Sequence, residues 1–156
     1  PVSALDVSIR AQILNLLKQL QEKLGLAYVI ISHDLAAARY LATRLAVMYA
    51  GKLVETGACD AVYGEPLHPY TEALLSAALP LHPSAHRQRI VLRGEVPNPV
   101  KPPRGCRFHP RCPLAIEVCR REMPALEAFP GGRASRCWRA GEIRDGRVDA
   151  VMGERT

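Results

Sequence analysis

Apolar residues in the first part of the chain follow a helical period, with Ile9, Ile13, Leu16, Leu17, Leu20 and Leu24 recurring at steps of three and four. This spacing predicts an amphipathic helix, with Asp6 suited to cap its start and Gly25 its end. Residues 27–32 then read Ala-Tyr-Val-Ile-Ile-Ser, a nearly continuous apolar run rich in β-branched side chains. Such a run predicts a strand buried on both faces of a parallel sheet. His33 would stand at its carboxyl end, where open α/β sheets place ligands, and Asp34 would cap a short helix over residues 35–42. A second strand is expected at residues 45–49, turning at Ala50 and Gly51 into a third at 52–55. Helical signals follow at 60–63 and 70–79. Residues 5–57 together have the apolar density of an α/β core.

The pattern changes near residue 80, since eight of the thirteen prolines lie between Pro80 and Pro113. Proline fixes φ and removes a hydrogen-bond donor, so an extended connection is expected there. Between Cys106 and Trp138 branched aliphatics are too few for an independent core, and so small a domain usually needs staples. The chain therefore reads as an α/β part over residues 1–80, a linker over 81–105, a four-cysteine module over 106–140 and a flexible tail over 141–156. No internal repeat is present. No apolar run reaches the roughly 18 residues that span a bilayer. The chain opens on Pro1 with no initiator Met, basic leader or secretory segment, and the expectation is an internal cut in a longer polypeptide.

Charge adds one fact to this layout. The formal charge is +6, yet residues 1–100 carry nine Lys and Arg against eight Asp and Glu, while residues 101–156 carry twelve against seven. The basic excess thus accompanies the cysteines. It suits nucleic acid, lipid headgroups or an anionic group held within the protein.

The opening Pro1-Val-Ser-Ala-Leu-Asp6 resembles the segment after the catalytic Glu of ABC-transporter ATPases, including their D-loop at Ser3, Ala4, Leu5 and Asp6. Ile31-Ser32-His33-Asp34 follows at the matching distance. His33 then corresponds to the switch, or H-loop, histidine that contacts the γ-phosphate of ATP in that family. Arg44-Leu-Ala-Val-Met-Tyr-Ala-Gly-Lys-Leu-Val-Glu-Thr-Gly57 resembles the hairpin completing the family's nucleotide-binding domain. Further on, Pro66-Leu-His-Pro-Tyr-Thr-Glu-Ala-Leu-Leu75, Gly94-Glu-Val-Pro-Asn-Pro99 and Cys106-Arg-Phe-His-Pro-Arg-Cys-Pro113 are similar to segments of oligopeptide and dipeptide importer ATPases. The resemblance covers roughly residues 1–138. It implies an α/β fold, the C-terminal remnant of a P-loop NTPase core of the ABC ATPase kind, followed by a small irregular cysteine-rich metal-binding module.

On residue type alone, a histidine in a strand-to-helix turn is commonly a cap or a satisfied core residue, and Ser3 and Asp6 fit helix N-cap roles. The resemblance shifts His33 to the nucleotide, where an imidazole can donate to a γ-phosphate oxygen and orient the attacking water. It places Ser3 and Asp6 at the nucleotide across a dimer interface. The sequence contains no G-x-x-x-x-G-K-[ST] loop, no ABC signature and no acidic pair before Pro1. Those residues supply the phosphate cradle and the magnesium ligand. The 156-residue chain by itself is therefore expected to have no ATPase activity, whereas the full-length protein would use ATP and Mg.

Cys106, Cys112, Cys119 and Cys137 are separated by five, six and seventeen residues. For a chain that the resemblance places at the cytoplasmic face of the membrane, four such thiols suggest a metal site over disulfides, for which three pairings exist. Structural zinc commonly uses C-x2-C pairs, and none of these gaps is that short. A four-iron four-sulfur cluster presents a larger core, although its familiar patterns also include C-x2-C. Spacing leaves 4Fe-4S and zinc both open, and the resemblance implies an iron-sulfur cluster. Arg107, Arg111, Arg120, Arg121, Arg136 and Arg139 would offset the negative charge of four thiolates. Cys59, far from these four, reads as a packing residue. His109 is a spare ligand, His68, His82 and His86 have capping or solvated roles, and Trp138 is expected to shield the thiols.

A nucleic-acid-binding zinc module is the rival from another class, but the spacing departs from C2H2 fingers and only two Phe are present, so no nucleic-acid partner is expected. A regulatory or assembly role for the cysteine module, sensing redox state or joining ATPase subunits, is compatible with the transporter reading. The resemblance implies a second ABC ATPase subunit, transmembrane permease subunits and, indirectly, an extracytoplasmic solute-binding protein as partners. Dipeptides, longer peptides and nickel complexes are all open as the solute.

Overall fold

Helix α1, Val7–Leu24, follows the predicted apolar stripe. It stops at Gly25, whose φ of +63° is the left-handed value that glycine takes without a Cβ penalty, and the Leu26 N–H returns to the Gln21 carbonyl at 3.3 Å. The computed structural model describes residues 7–78, 90–98 and 100–148, so Ser3, Asp6, His82 and His86 lie outside the described residues. Helix α2, Leu35–Leu41, begins at Asp34 as expected, with Asp34 Oδ1 accepting the N–H groups of Ala36 and Ala37 at 3.0 and 3.1 Å. Asp34 Oδ2 receives Arg10 of α1 at 2.9 Å, and Tyr40 donates to Asn15 at 2.7 Å. These two bonds join α1 to α2 within a first compact unit that ends at Thr43.

The strand expected over residues 27–32 is not formed. The segment has no strand partner among the described residues, and Val29 and Ile31 are 97% and 98% exposed. A strand buried on both faces requires neighbouring strands and covering helices, and the first unit brings only α1 and α2 to it. The parallel sheet is accordingly absent among the described residues.

The second unit, beginning at Arg44, is built on a four-stranded antiparallel sheet. Strands β1, Arg44–Tyr49, and β2, Lys52–Ala58, form a hairpin through the two-residue turn Ala50 and Gly51. Both turn residues take positive φ, 45° and 76°, as tight hairpin turns matched to strand twist require. Helices α3, Cys59–Gly64, and α4, Pro69–Ala77, follow. A 3-10 turn, His109–Arg111, and helix α5, Glu117–Arg121, lead to β3, Glu127–Phe129, β4, Arg133–Ser135, and helix α6, Ala140–Arg144.

Strand order in the sheet is β1, β2, β4, β3. The pairing of Glu55 with Ser135 and Thr56 with Ala134 therefore joins strands on opposite sides of the proline-rich stretch. This pairing spans the boundary expected near residue 80: the chain forms two compact units that divide at 43/44, and β4, beside the cysteines, belongs to the sheet that the hairpin starts. Its core confirms the point, because Phe108 is 1% exposed and packs with Val47, Tyr49, Val54 and Val62. A segment too poor in aliphatics to make its own core has been supplied with one by β1 and β2. The tail expected over 141–156 is helical at its start, and the Arg147 N–H closes onto the Glu142 carbonyl at 2.9 Å. No helix among the described residues is long and apolar enough to cross a membrane.

Candidate functional site

Two places collect the residues singled out by sequence, one in each unit. In the first, His33 ends the extended segment and is exposed directly before the Asp34 cap. The Asp34 N–H is accepted by Ser32 Oγ at 2.9 Å, so the bend carrying His33 is closed by its two neighbours. The Ala37 N–H, with help from Arg10 and the Ala36 N–H, holds the Asp34 carboxyl below its ordinary range. Its negative charge at the N-terminus of α2 is thereby retained. His33 itself is left facing solvent.

The second place is the cysteine-rich surface of the sheet. Cys106 opens a loop whose carbonyl accepts the His109 N–H at 3.1 Å and pairs with His109 Nδ1 at 2.8 Å. His109 is thus occupied in shaping the Cys106 loop. Cys112 closes the 3-10 turn through its N–H to the His109 carbonyl at 3.3 Å, and Cys119 lies buried in α5. The Cys106 N–H donates to the Cys119 carbonyl at 2.8 Å, which brings the first and third cysteines together through the backbone. Cys137 follows Arg136, whose N–H donates to Val54 of β2 at 2.8 Å and whose guanidinium donates to the carbonyls of Leu53 and Pro124, both at 2.9 Å.

All four thiols are free. Burial pushes the thiols of Cys112 and Cys137 up to about 12, outweighing the Leu114 N–H at Cys112 and the Arg139 N–H at Cys137. The charge that Cys137 would carry is opposed by those of Cys112, Cys106 and Cys119, and that of Cys112 by Cys106 and Cys119. Burial likewise raises Cys106, with Cys119 adding to it. The four side chains therefore share one electrostatic neighbourhood, with Cys119 buried and the other three partly buried. Among the described residues, however, no three His, Cys, Asp or Glu side chains are grouped so as to hold a metal ion. The side chains converge without forming a finished single-ion chelate.

The arginines around this neighbourhood also make specific structural contacts. Arg107 donates to the Ala50 carbonyl in the β1–β2 turn, Arg136 to three-dimensional neighbours of β2, and Arg121 pairs with Glu117 at 2.8 Å. Arg139 is paired with Glu142 at 2.7 Å and also lowers the cost of charging Cys112. The guanidinium groups of Arg107 and Arg136 fasten the cysteine loops to the sheet by backbone carbonyls, a role that charge counting does not reveal. Trp138 is 38% exposed and donates to the Glu122 carbonyl at 3.3 Å, so its cover is partial. Cys59 is buried at the start of α3, as a packing residue would be.

A polar cluster beneath this surface was not anticipated. Glu55 of β2 is fully buried and accepts the N–H groups of Leu67 and His68 at 2.8 and 3.0 Å, while Arg133 of β4 lies 3.4 Å away. Arg133 also donates to the Glu65 carbonyl. Desolvation raises the Glu55 pKa, opposed by the Leu67 N–H, the Thr71 hydroxyl, the His68 N–H and Arg133. His68 caps α4 by accepting the Tyr70 N–H at 3.1 Å, and it is 1% exposed. The available signal was a glutamate inside an apolar strand facing the Pro66-Leu67-His68-Pro69 turn in the folded chain.

Residues 54–119 match the family described as the oligopeptide/dipeptide transporter C-terminal region. The chain is 55% identical to a probable peptide ABC transporter ATP-binding protein of Sinorhizobium fredii, over 87% of this chain and 38% of that protein. It is 51% identical to a dipeptide transport ATP-binding protein of Haemophilus influenzae, over 88% of this chain and 42% of that protein. A di/tripeptide transport ATP-binding protein of Pseudomonas aeruginosa is 54% identical over 81% of this chain and 39% of its own length. The chain thus spans about two fifths of these relatives, with the family match running from Val54 within β2 through the capped helix α4 to the third of the four cysteines, Cys119. On this match, and on identities near one half over most of its length, the chain belongs to the family of ATP-binding proteins of oligopeptide and dipeptide ABC transporters.

Proposed function

We propose that this chain is part of the ATP-binding subunit of a peptide importer, in which ATP and Mg drive closure of two nucleotide-binding domains and hydrolysis reopens them. The observation that carries the reading is the high identity to peptide and dipeptide transport ATP-binding proteins over most of the chain. In this reading the subunit lies at the cytoplasmic face of the membrane. It couples to transmembrane permease subunits, works beside a second ATPase subunit and receives solute indirectly from an extracytoplasmic binding protein. His33 faces the γ-phosphate, donating to its oxygen and orienting water, while Ser3 and Asp6, as this chain's own D-loop, act across the interface with the second nucleotide-binding domain. The exposed position of His33 at the head of α2 is compatible with contact to a ligand. The 156-residue chain alone, without a phosphate loop, would not hydrolyse ATP.

The cysteine-rich surface would hold a metal group through Cys106, Cys112, Cys119 and Cys137. Support comes from four free cysteines, one buried and three partly buried, of which Cys106 and Cys119 are joined by a backbone bond of 2.8 Å. Structural zinc, with each sulfur about 2.3 Å from one ion, commonly draws on C-x2-C pairs, and none of the gaps between these four cysteines is that short. A four-iron four-sulfur core, being larger, makes the lesser demand, and it is the reading preferred here. Such a core would supply positive charge to offset the thiolates and a redox-sensitive cross-link between α5 and the β4–α6 connection.

The test is made in the whole ATP-binding protein with its permease. His33→Ala is expected to lower hydrolysis by about 100-fold or more, the scale for losing one donor to transition-state charge, with ATP binding largely kept. Peptide uptake should fall in parallel. Unchanged hydrolysis would overturn the role given to His33, and uptake indifferent to ATP would overturn the importer reading.

A further inference from the structure

Gly105 stands directly before the first thiol and has a φ of +69°. A Cβ placed on it would drive into the Cys119 carbonyl oxygen and lie 2.9 and 3.0 Å from the carbonyl carbon and oxygen of Arg120. These are backbone atoms of α5 and its end, so they cannot step aside as the tip of a flexible side chain could. The close approach is what allows the next residue, Cys106, to donate its N–H to the same Cys119 carbonyl at 2.8 Å. One backbone bond, admitted by one missing methyl group, thus fixes the spacing of two of the four thiols.

The neighbouring loops are fixed independently. Phe108, 1% exposed, anchors the Cys106 loop against Tyr49, with ring centroids 5.1 Å apart in an edge-to-face contact. Cys112 is bound to the His109 carbonyl, and Arg136 sets Cys137 on β2. None of those bonds passes through α5. Trp138 holds the end of α5 at the Glu122 carbonyl, and the direct tie between Cys119 and Cys106 is the backbone bond that Gly105 admits.

We propose that Gly105 is the positioning residue of the four-thiol site: it preforms the Cys106–Cys119 pair before any metal group is bound. The proposal rests on the four-thiol reading above. Two glycines give an internal comparison, because Gly131 has φ +77° with nothing within 4 Å of an added Cβ, whereas Gly105 has a similar φ and a backbone wall. Gly131→Ala carries the conformational strain alone, and Gly105→Ala carries the strain and the collision.

The experiment uses the 156-residue chain, purified metal-free under reducing, oxygen-free conditions. Cadmium is the probe, followed by its thiolate charge-transfer absorption, with iron and acid-labile sulfide measured after anaerobic reconstitution. Gly105→Ala is expected to weaken cadmium binding by about 10- to 100-fold, the scale for residues that orient ligands without binding the metal, while Gly131→Ala binds as the unaltered chain does. Iron and sulfide content should fall in the first variant only. Amide exchange in the unaltered metal-free chain gives a readout that does not require either variant to fold, and the Cys106 N–H should be protected there. Free exchange of that N–H, or unaltered cadmium affinity in Gly105→Ala, would overturn the role of Gly105 while leaving the four-thiol site standing. Failure of the unaltered chain to take up iron and acid-labile sulfide on anaerobic reconstitution would instead overturn the four-thiol reading, and the positioning role with it.

Discussion

Glu55 Oε1 accepts the Leu67 N–H at 2.8 Å, so a carboxylate in the middle of a strand holds the turn that starts helix α4. Its second oxygen accepts the His68 N–H, and Arg133 reaches it from β4. Three parts of the second unit, β2, the α4 turn and β4, therefore meet on one buried charge. The Pro66-Leu67-His68-Pro69 turn is rigid by composition, and Glu55 supplies the acceptors its N–H groups would otherwise lack.

The consequence is that Glu55 should tolerate only isosteric replacement. Glu55→Ala leaves two buried N–H groups unpaired and Arg133 without its carboxylate, at a cost of about 3–5 kcal/mol, the usual penalty for breaking a buried ion pair. Glu55→Gln should cost less, because one amide oxygen still accepts. Replacing Glu55 and Arg133 together by Met should be milder than Glu55→Ala, since no lone charge remains. Urea denaturation of the three variants would check this order, and equal losses for Ala and Gln would count against the acceptor role.

His68 makes the stability depend on pH. Burial depresses its pKa from 6.5 to about 3, the backbone bond with Arg136 opposing that shift. Because the folded value is the lower one, both states are neutral above about pH 6.5 and the stability is then fully present. Below it the unfolded chain takes up a proton that the folded chain refuses, so stability falls as pH falls. Between pH 7.5 and 5.5 the loss is about 1.4 kcal/mol, following the linkage of pKa shift to stability. His68→Asn retains a cap acceptor for Tyr70 but cannot titrate. Its urea midpoint should be flatter over that window, and an unchanged slope would assign the pH dependence elsewhere.

What the sequence made legible was local. The stripe of α1, the Asp34 cap and the Ala50–Gly51 turn each follow from residues close in sequence, and each is formed. The segment at residues 27–32 failed because a buried strand is a statement about neighbours, and periodicity carries no information on whether they are there. The pairing of Glu55 with Ser135 is an 80-residue closure that no local pattern encodes. The arginines have a second role that their spacing does not encode: Arg107 donates to the Ala50 carbonyl in the β1–β2 turn, and Arg136 to the carbonyls of Leu53 in β2 and Pro124. The backbone bond from Cys106 to Cys119, admitted by Gly105, was likewise not legible from cysteine spacing.

Phe108 should dominate the stability of the cysteine-rich surface. It lies within 5.1–5.6 Å, centroid to centroid, of Tyr49, Tyr70 and His68, and it is the one buried aromatic contributed by residues 106–112. Phe108→Ala is expected to cost about 3–5 kcal/mol, as large-to-small changes of buried aromatics do. The loss should extend to the hairpin, because Val47, Tyr49 and Val54 pack on the same ring. Amide exchange of β1 and β2 would then rise together with that of the Cys106 loop. Faster exchange confined to residues 106–112 would show that the loop and the hairpin unfold separately.

Asp34 offers a way to separate the position of His33 from its chemistry. Its carboxylate caps α2 through Ala36 and Ala37 and receives Arg10 from α1, so it sets the direction in which the bend at His33 leaves the helix. Asp34→Ala removes both functions. Loss of the cap alone costs about 1 kcal/mol, and the partly exposed pair with Arg10 adds little. Asp34→Asn keeps the capping oxygen and gives up the charge. In the whole ATP-binding protein, Asp34→Asn should therefore retain most of the hydrolysis that Asp34→Ala loses, while His33→Ala stays low whichever residue occupies position 34. Measuring hydrolysis in the single and double variants gives the coupling directly. Additive losses would mean that the cap does not act through His33, and full loss in Asp34→Asn would mean that the carboxylate charge itself takes part at the nucleotide.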